Sequence, residues 1–162
     1  MEWIRELPDK VEEACRSLFE ALPLDKAMAA LVPKESHDKE ILELAERVVR
    51  SDAFAELLEA QAGIWLYVDE LERSHKISQN LTTREGMTWH GIMHRREGDF
   101  GNSKYWFRQA GFHQALKAIP EYEPFHFIDE CARRYLENPH ELVEMQRREW
   151  VAMFVWCAKH GH

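Results

Sequence analysis

Apolar residues in this chain recur every three or four positions, and nowhere do they alternate one by one between turn signals. That pattern predicts helices packed on helices and supplies no strands for a sheet. The clearest stripe is Ile41, Leu44, Ala45, Val48 and Val49, in a helix capped by Ser36. Val11, Ala14, Cys15, Leu18, Phe19 and Leu22 make another over 9–22, with Pro8 at its start and Pro23 at its end. A short helix is expected over 25–31, before Pro33, and a longer one from Ser51 or Asp52 to Ser74. The second half of the longer helix is apolar on most sides, which predicts a central position. Further helices are expected over 125–136 and 139–159, the second opened by Asn138 and Pro139. The fold class expected is all-α, a single-domain helical bundle of about seven or eight helices over 1–162.

Against that scaffold, residues 86–107, GMTWHGIMHRREGDFGNSKYWF, carry an unusual density of functional groups. A helix over 87–97 is expected, capped by Thr82 or Thr83 and closed near Gly98. Positions three or four apart share a helix face, so His90, His94 and Glu97 form one row. Asn102 is the expected cap of a second helix over 103–110, which folds Lys104, Tyr105 and Arg108 back beside the histidines.

These residue types suit several chemistries. His90 and His94 have metal-ligand spacing, although Gly91 stands where a zincin helix has glutamate. Glu72 and His75 form a Glu-x-x-His pair at the end of the long helix, and the 75–84 loop brings them within reach of His90. The metal set under consideration is therefore His90, His94, Glu72 and His75, with Glu97 as a further donor and the identity of any divalent ion open. Without a metal, His90 or His94 acts as general acid or base with Glu97, and Tyr105 donates a proton or fixes orientation. Arg95 and Lys104, with Asp99, Asn102 and Trp106, then hold the ligand. Trp89 and Trp106 are more often core than platform, though aromatic walls suit a pocket.

Charge adds one expectation and removes another. The chain carries −8, which argues against non-specific nucleic-acid binding. Between 84 and 117 six cations face three anions, a local +3 that leaves −11 for the rest. Such an island attracts an anionic small molecule, or else its arginines pair with acidic neighbours. No apolar run is long enough to span a bilayer, and nothing at the start resembles a signal peptide. Cys15, Cys131 and Cys157 are widely spaced within apolar helices, as buried reduced thiols in a cytoplasmic protein would be. An oligomer is compatible with all of this.

The segment Trp89 to Gly111 resembles the signature of an uncharacterised family of small soluble proteins, WHxIMHRRExDxxNxKYWFRRxG. The upstream run Glu72-Arg73-Ser74-His75-Lys76-Ile77-Ser78-Gln79 is similar to that family's (D/E)xSH(R/K)ISQ, with departures at Arg73 and Gln109. The resemblance spans roughly 64–112 and brings no activity with it. Two functional classes stand at this point. One is an enzyme or ligand-binding protein with an anion-accepting histidine site between the long helix and the hairpin. The other is a structural or interaction module in which the same residues form a buried polar network.

Overall fold

The computed structural model describes residues 2–161, and among them every regular element is helical. Nine α-helices follow in order: α1 (Asp9–Ala21), α2 (Lys39–Arg50), α3 (Leu58–Tyr67), α4 (Leu71–Ser78), α5 (Arg84–Arg96), α6 (Phe100–Ala110), α7 (Gln114–Lys117), α8 (Pro124–Arg134) and α9 (His140–His160). None of them is long and apolar enough to cross a membrane. Single-turn 3-10 helices at Glu2–Glu6 and Asp52–Phe54 complete the described chain.

The core forms where α3, apolar all round and buried from Ala62 to Tyr67, meets α9. Trp150 and Phe154 of α9 stack with ring centres 4.6 Å apart, Phe19 and Trp3 pack edge-on around them, and Tyr67 lies tilted against Trp150. Two polar atoms inside this cluster are satisfied by backbone, while Trp3 Nε1 has no partner. Trp150 Nε1 donates to the Gly63 carbonyl at 2.8 Å, and Tyr67 donates to the Leu22 carbonyl at 2.6 Å. All three cysteines are buried and free; burial pushes the Cys131 thiol up to about 11.

Several expected boundaries move, each for a local reason. The long helix over 51–74 is broken into the 3-10 turn, α3 and α4. The break centres on Asp69, whose φ of +61° ends α3 and which pairs with Arg96 and His37. Residues 25–31 form turns rather than a helix. In place of helical bonds, the Ala27, Met28 and Ala30 carbonyls accept from Arg147 and Gln146 of α9. Asp38, not Ser36, caps α2 by accepting from Ile41 N at 3.1 Å. At the other end, α9 stays helical through His160, which stacks on Trp156, whereas a frayed 160–162 was expected; His162 lies outside the described residues.

Candidate functional site

The hairpin of α5 and α6 is set by two caps and one glycine. Thr83 accepts from Gly86 N at 3.1 Å and opens α5. Gly98, at φ +88°, supplies the left-handed turn that ends it. The cap of α6 is Asp99, accepting from Asn102 N at 3.1 Å, so the helix starts at Phe100, three residues before the expected start at Ser103. That shift places Asn102 inside the helix and releases its side chain. Gly91 is the close-approach position: a Cβ there would lie 2.7 Å from Phe107 Cδ2 of α6. Ser103 Oγ donates to the Gly91 carbonyl at 2.6 Å and locks the two helices together. The residue after the first histidine thus serves helix packing, which is why it cannot be glutamate.

The third element is α4. Sequence reading placed His75 in a loop, but the helix runs on to Ser78, and Ser74 Oγ ties it to the Ala62 carbonyl of α3 at 2.9 Å. The Asp69 elbow lays α4 beside α5, and His75 arrives facing His90 and His94.

Three imidazoles converge there. Ring centres are 4.8 Å apart for His90–His94, 4.8 Å for His75–His90 and 5.4 Å for His75–His94. One nitrogen from each lies within 4.8 Å of the others. Nitrogens bound to one tetrahedral ion at about 2.0–2.1 Å sit roughly 3.3 Å apart, so side-chain rotations of about an ångström close the set. His90 is 4% exposed and lies flat between His94 and Trp106, whose ring centre is 4.0 Å away. Its Nδ1 is buried with no hydrogen-bond partner. Trp3 and Trp89 Nε1, Ser78 Oγ and the Nε of Arg95 and Arg96 are also buried without a partner, but among these atoms the His90 nitrogen alone belongs to an imidazole, and so can offer a lone pair to an ion.

His94 is held at both nitrogens. The Asn102 amide nitrogen Nδ2, which can only donate, lies 3.2 Å from Nε2, so Nε2 accepts and the proton sits on Nδ1. Nδ1–H donates to Glu97 Oε1 at 2.5 Å. This carboxylate–imidazole pair fixes the tautomer that presents the Nε2 lone pair, as carboxylates do behind metal-bound histidines. His94, Glu97 and Asp99 also group within 4.8 Å. With Glu97 bonded to Nδ1–H and Asp99 capping α6, that second group orients His94 and is not a second ion site. Burial, and then the neighbouring His94 and His75, hold His90 down at about 4. His75 is lowered too, by burial first and His94 second, against smaller opposing effects of Glu97 and Glu72. Both rings are therefore neutral at pH 7, the form a metal requires.

Other expected site residues are placed elsewhere. Arg95, 1% exposed, forks onto Glu149 of α9 at 2.8 and 2.9 Å and stacks on Phe127. Glu149 also accepts from Tyr122 at 2.5 Å. Burial works against the Arg95 charge, but Glu149 more than offsets it and the guanidinium stays firmly protonated. Its expected role as an anion holder is thereby corrected, since its fork is already filled by a carboxylate. Lys104 is likewise paired, to Asp129 at 2.6 Å. Tyr105 is 45% exposed and contacts Trp106 edge-on, with no bond to a histidine. Glu72 is exposed on α4 and stands outside the groups of ligand atoms that converge. Trp106 and Asn102 do join the site, as ring wall and as donor.

Sequence reading missed Glu149, Gln146, Tyr122 and Asp69. One signal for the first two was present. Gln146 and Glu149 lie on the same face of α9 as Leu142, Trp150 and Met153, and polar residues inside an apolar stripe imply buried partners. The described clefts lie away from the histidines. One of about 380 Å³ is lined by Lys26, Lys34, His37 and Tyr135, and another of about 350 Å³ by Glu59, Glu85 and Trp156. The pocket expected between the long helix and the hairpin is not among them.

No family model, no curated protein and no solved structure matches this chain.

Proposed function

We propose that this chain binds a divalent transition-metal ion through His75, His90 and His94, with a fourth coordination position left for a small ligand. The observation that carries the reading is the buried, unpartnered Nδ1 of His90 inside a cluster of three imidazoles. Three nitrogen donors and no carboxylate among them suit zinc, cobalt, nickel or copper rather than magnesium or calcium. Three protein ligands with an open fourth position is the arrangement of catalytic zinc sites. An ion held so lowers the pKa of its bound water towards 7 and supplies hydroxide at neutral pH. Glu97 orients His94 and raises its basicity as a ligand. On this reading the anion expected from the charge island binds to the metal, because Arg95 and Lys104 are already paired.

The test is metal analysis and calorimetry on protein without a histidine tag. One equivalent of zinc or cobalt, lost in the His90→Gln variant, is the expected result. No binding above that of a protein lacking clustered histidines would leave the second reading, a structural or interaction module. One observation favours that alternative: none of the described clefts is lined by the three histidines.

A further inference from the structure

Resting on the metal reading above, we infer that the fourth position is a small-anion site in which Asn102 donates the hydrogen bond that holds the anion. Metal binding at His94 changes what the Asn102 amide can bond to. In the structure Asn102 Nδ2 lies 3.2 Å from His94 Nε2 and donates to it. A metal on that lone pair, about 2.1 Å from Nε2, takes the space the amide nitrogen holds, so the Asn102 side chain turns aside and its N–H loses its acceptor at the edge of the coordination sphere. Asn102 is half-buried and fixed in the first turn of α6, whose start is set by the Asp99 cap. A positioned donor without an acceptor, next to a cation, is satisfied by a ligand with lone pairs and negative charge.

The charge balance points the same way. Three neutral imidazoles leave the ion's full double charge in the first shell. The nearest carboxylate, Glu97, is spent on His94 Nδ1–H rather than on the ion. An anion at the fourth position offsets the remaining charge.

Size is limited by the surroundings. Trp106 covers one face of His90, and His94 covers the other. His90 and His94 are buried, and only His75 is half-exposed, so the edge on α4 is where a ligand enters. With His90 and His94 buried and Trp106 stacked on the His90 ring, the ligand class that fits is hydroxide, halide or a triatomic anion such as azide, cyanate or thiocyanate.

The experiment uses the full chain loaded with cobalt(II), whose visible spectrum reports coordination, titrated with azide and then thiocyanate. A saturable spectral change is expected. In Asn102→Ala cobalt still binds, and azide affinity falls about tenfold or more, as for loss of one bond to a charged group. In Asn102→Asp the new carboxylate takes the fourth position: cobalt binds more tightly and azide no longer alters the spectrum. Cobalt binding with no response to either anion overturns this inference and leaves the metal reading standing. An azide affinity unchanged in Asn102→Ala overturns the part assigned to Asn102. Failure of cobalt to bind at all removes both.

Discussion

Two faces of α5 hold buried nitrogen in opposite ways. On one, Arg95 and Arg96 are each 1% exposed, and their terminal nitrogens are engaged. Arg95 meets Glu149 and Gln146; Arg96 meets Asp69 and the Leu66 and Ala30 carbonyls. On the other, His90 and His94 are nearly as buried, but His90 has a nitrogen with no partner and its ring is kept neutral. A buried charge must be compensated where it sits, so each guanidinium is matched to a carboxylate and belongs to the scaffold, although the Nε of each has no partner. A neutral imidazole tolerates burial at lower cost and keeps a lone pair available. The difference teaches where to look for function: at the donors the fold leaves unspent, rather than at the strongest charges.

The largest effect should come from emptying the arginine face. Glu149→Ala leaves the Arg95 guanidinium buried without its counter-ion. It should cost about 3–5 kcal/mol in urea unfolding, the range for breaking a buried pair. A loss under about 1 kcal/mol would erase the contrast between the faces. On the histidine face, His75→Ala should reduce zinc affinity about a hundredfold or more in calorimetry. Because His75 is half-exposed, the metal-free protein should lose less than about 1 kcal/mol of stability. A large stability loss with unchanged zinc affinity would move the histidines into the scaffold class.

Glu97→Gln comes next. It keeps the shape of the side chain but removes the charge behind His94, and zinc affinity should fall about 10- to 100-fold. Acid acts on the metal-free protein as well. The unfolded His90 imidazole titrates near 6.5, and the folded one is held down at about 4. Between those values the unfolded state binds the extra proton, so this group's contribution makes stability fall as pH drops from about 6.5 to about 4. Above pH 6.5 it contributes no slope. Melting temperatures across that window, compared with His90→Gln, should show a shallower acid decline in the variant.

The row of His90, His94 and Glu97 was legible because helix periodicity is local: residues three and four apart meet whatever the rest of the chain does. The all-helical class was legible for the same reason, and so was the central place of the apolar segment of α3. His75 was legible as a residue and not as a helical ligand, since its approach depends on the break at Asp69. The arginines stood open between holding an anion and pairing with acidic neighbours, because their partners are remote in sequence. Glu149 lies 54 positions from Arg95, and the carbonyl of Ala30 lies 66 from Arg96.

Short-range order in this protein, its helices and the shared face of two histidines and a glutamate, follows from spacing along the chain, because side-chain direction within a helix is a property of the backbone repeat. The meeting of α4 with α5, the withdrawal of Arg95 into the core and the release of Asn102 towards His94 were decided only when the helices packed. Each depends on contacts between segments whose separation along the chain says nothing about their distance in space, and on which polar groups the packed interior could satisfy.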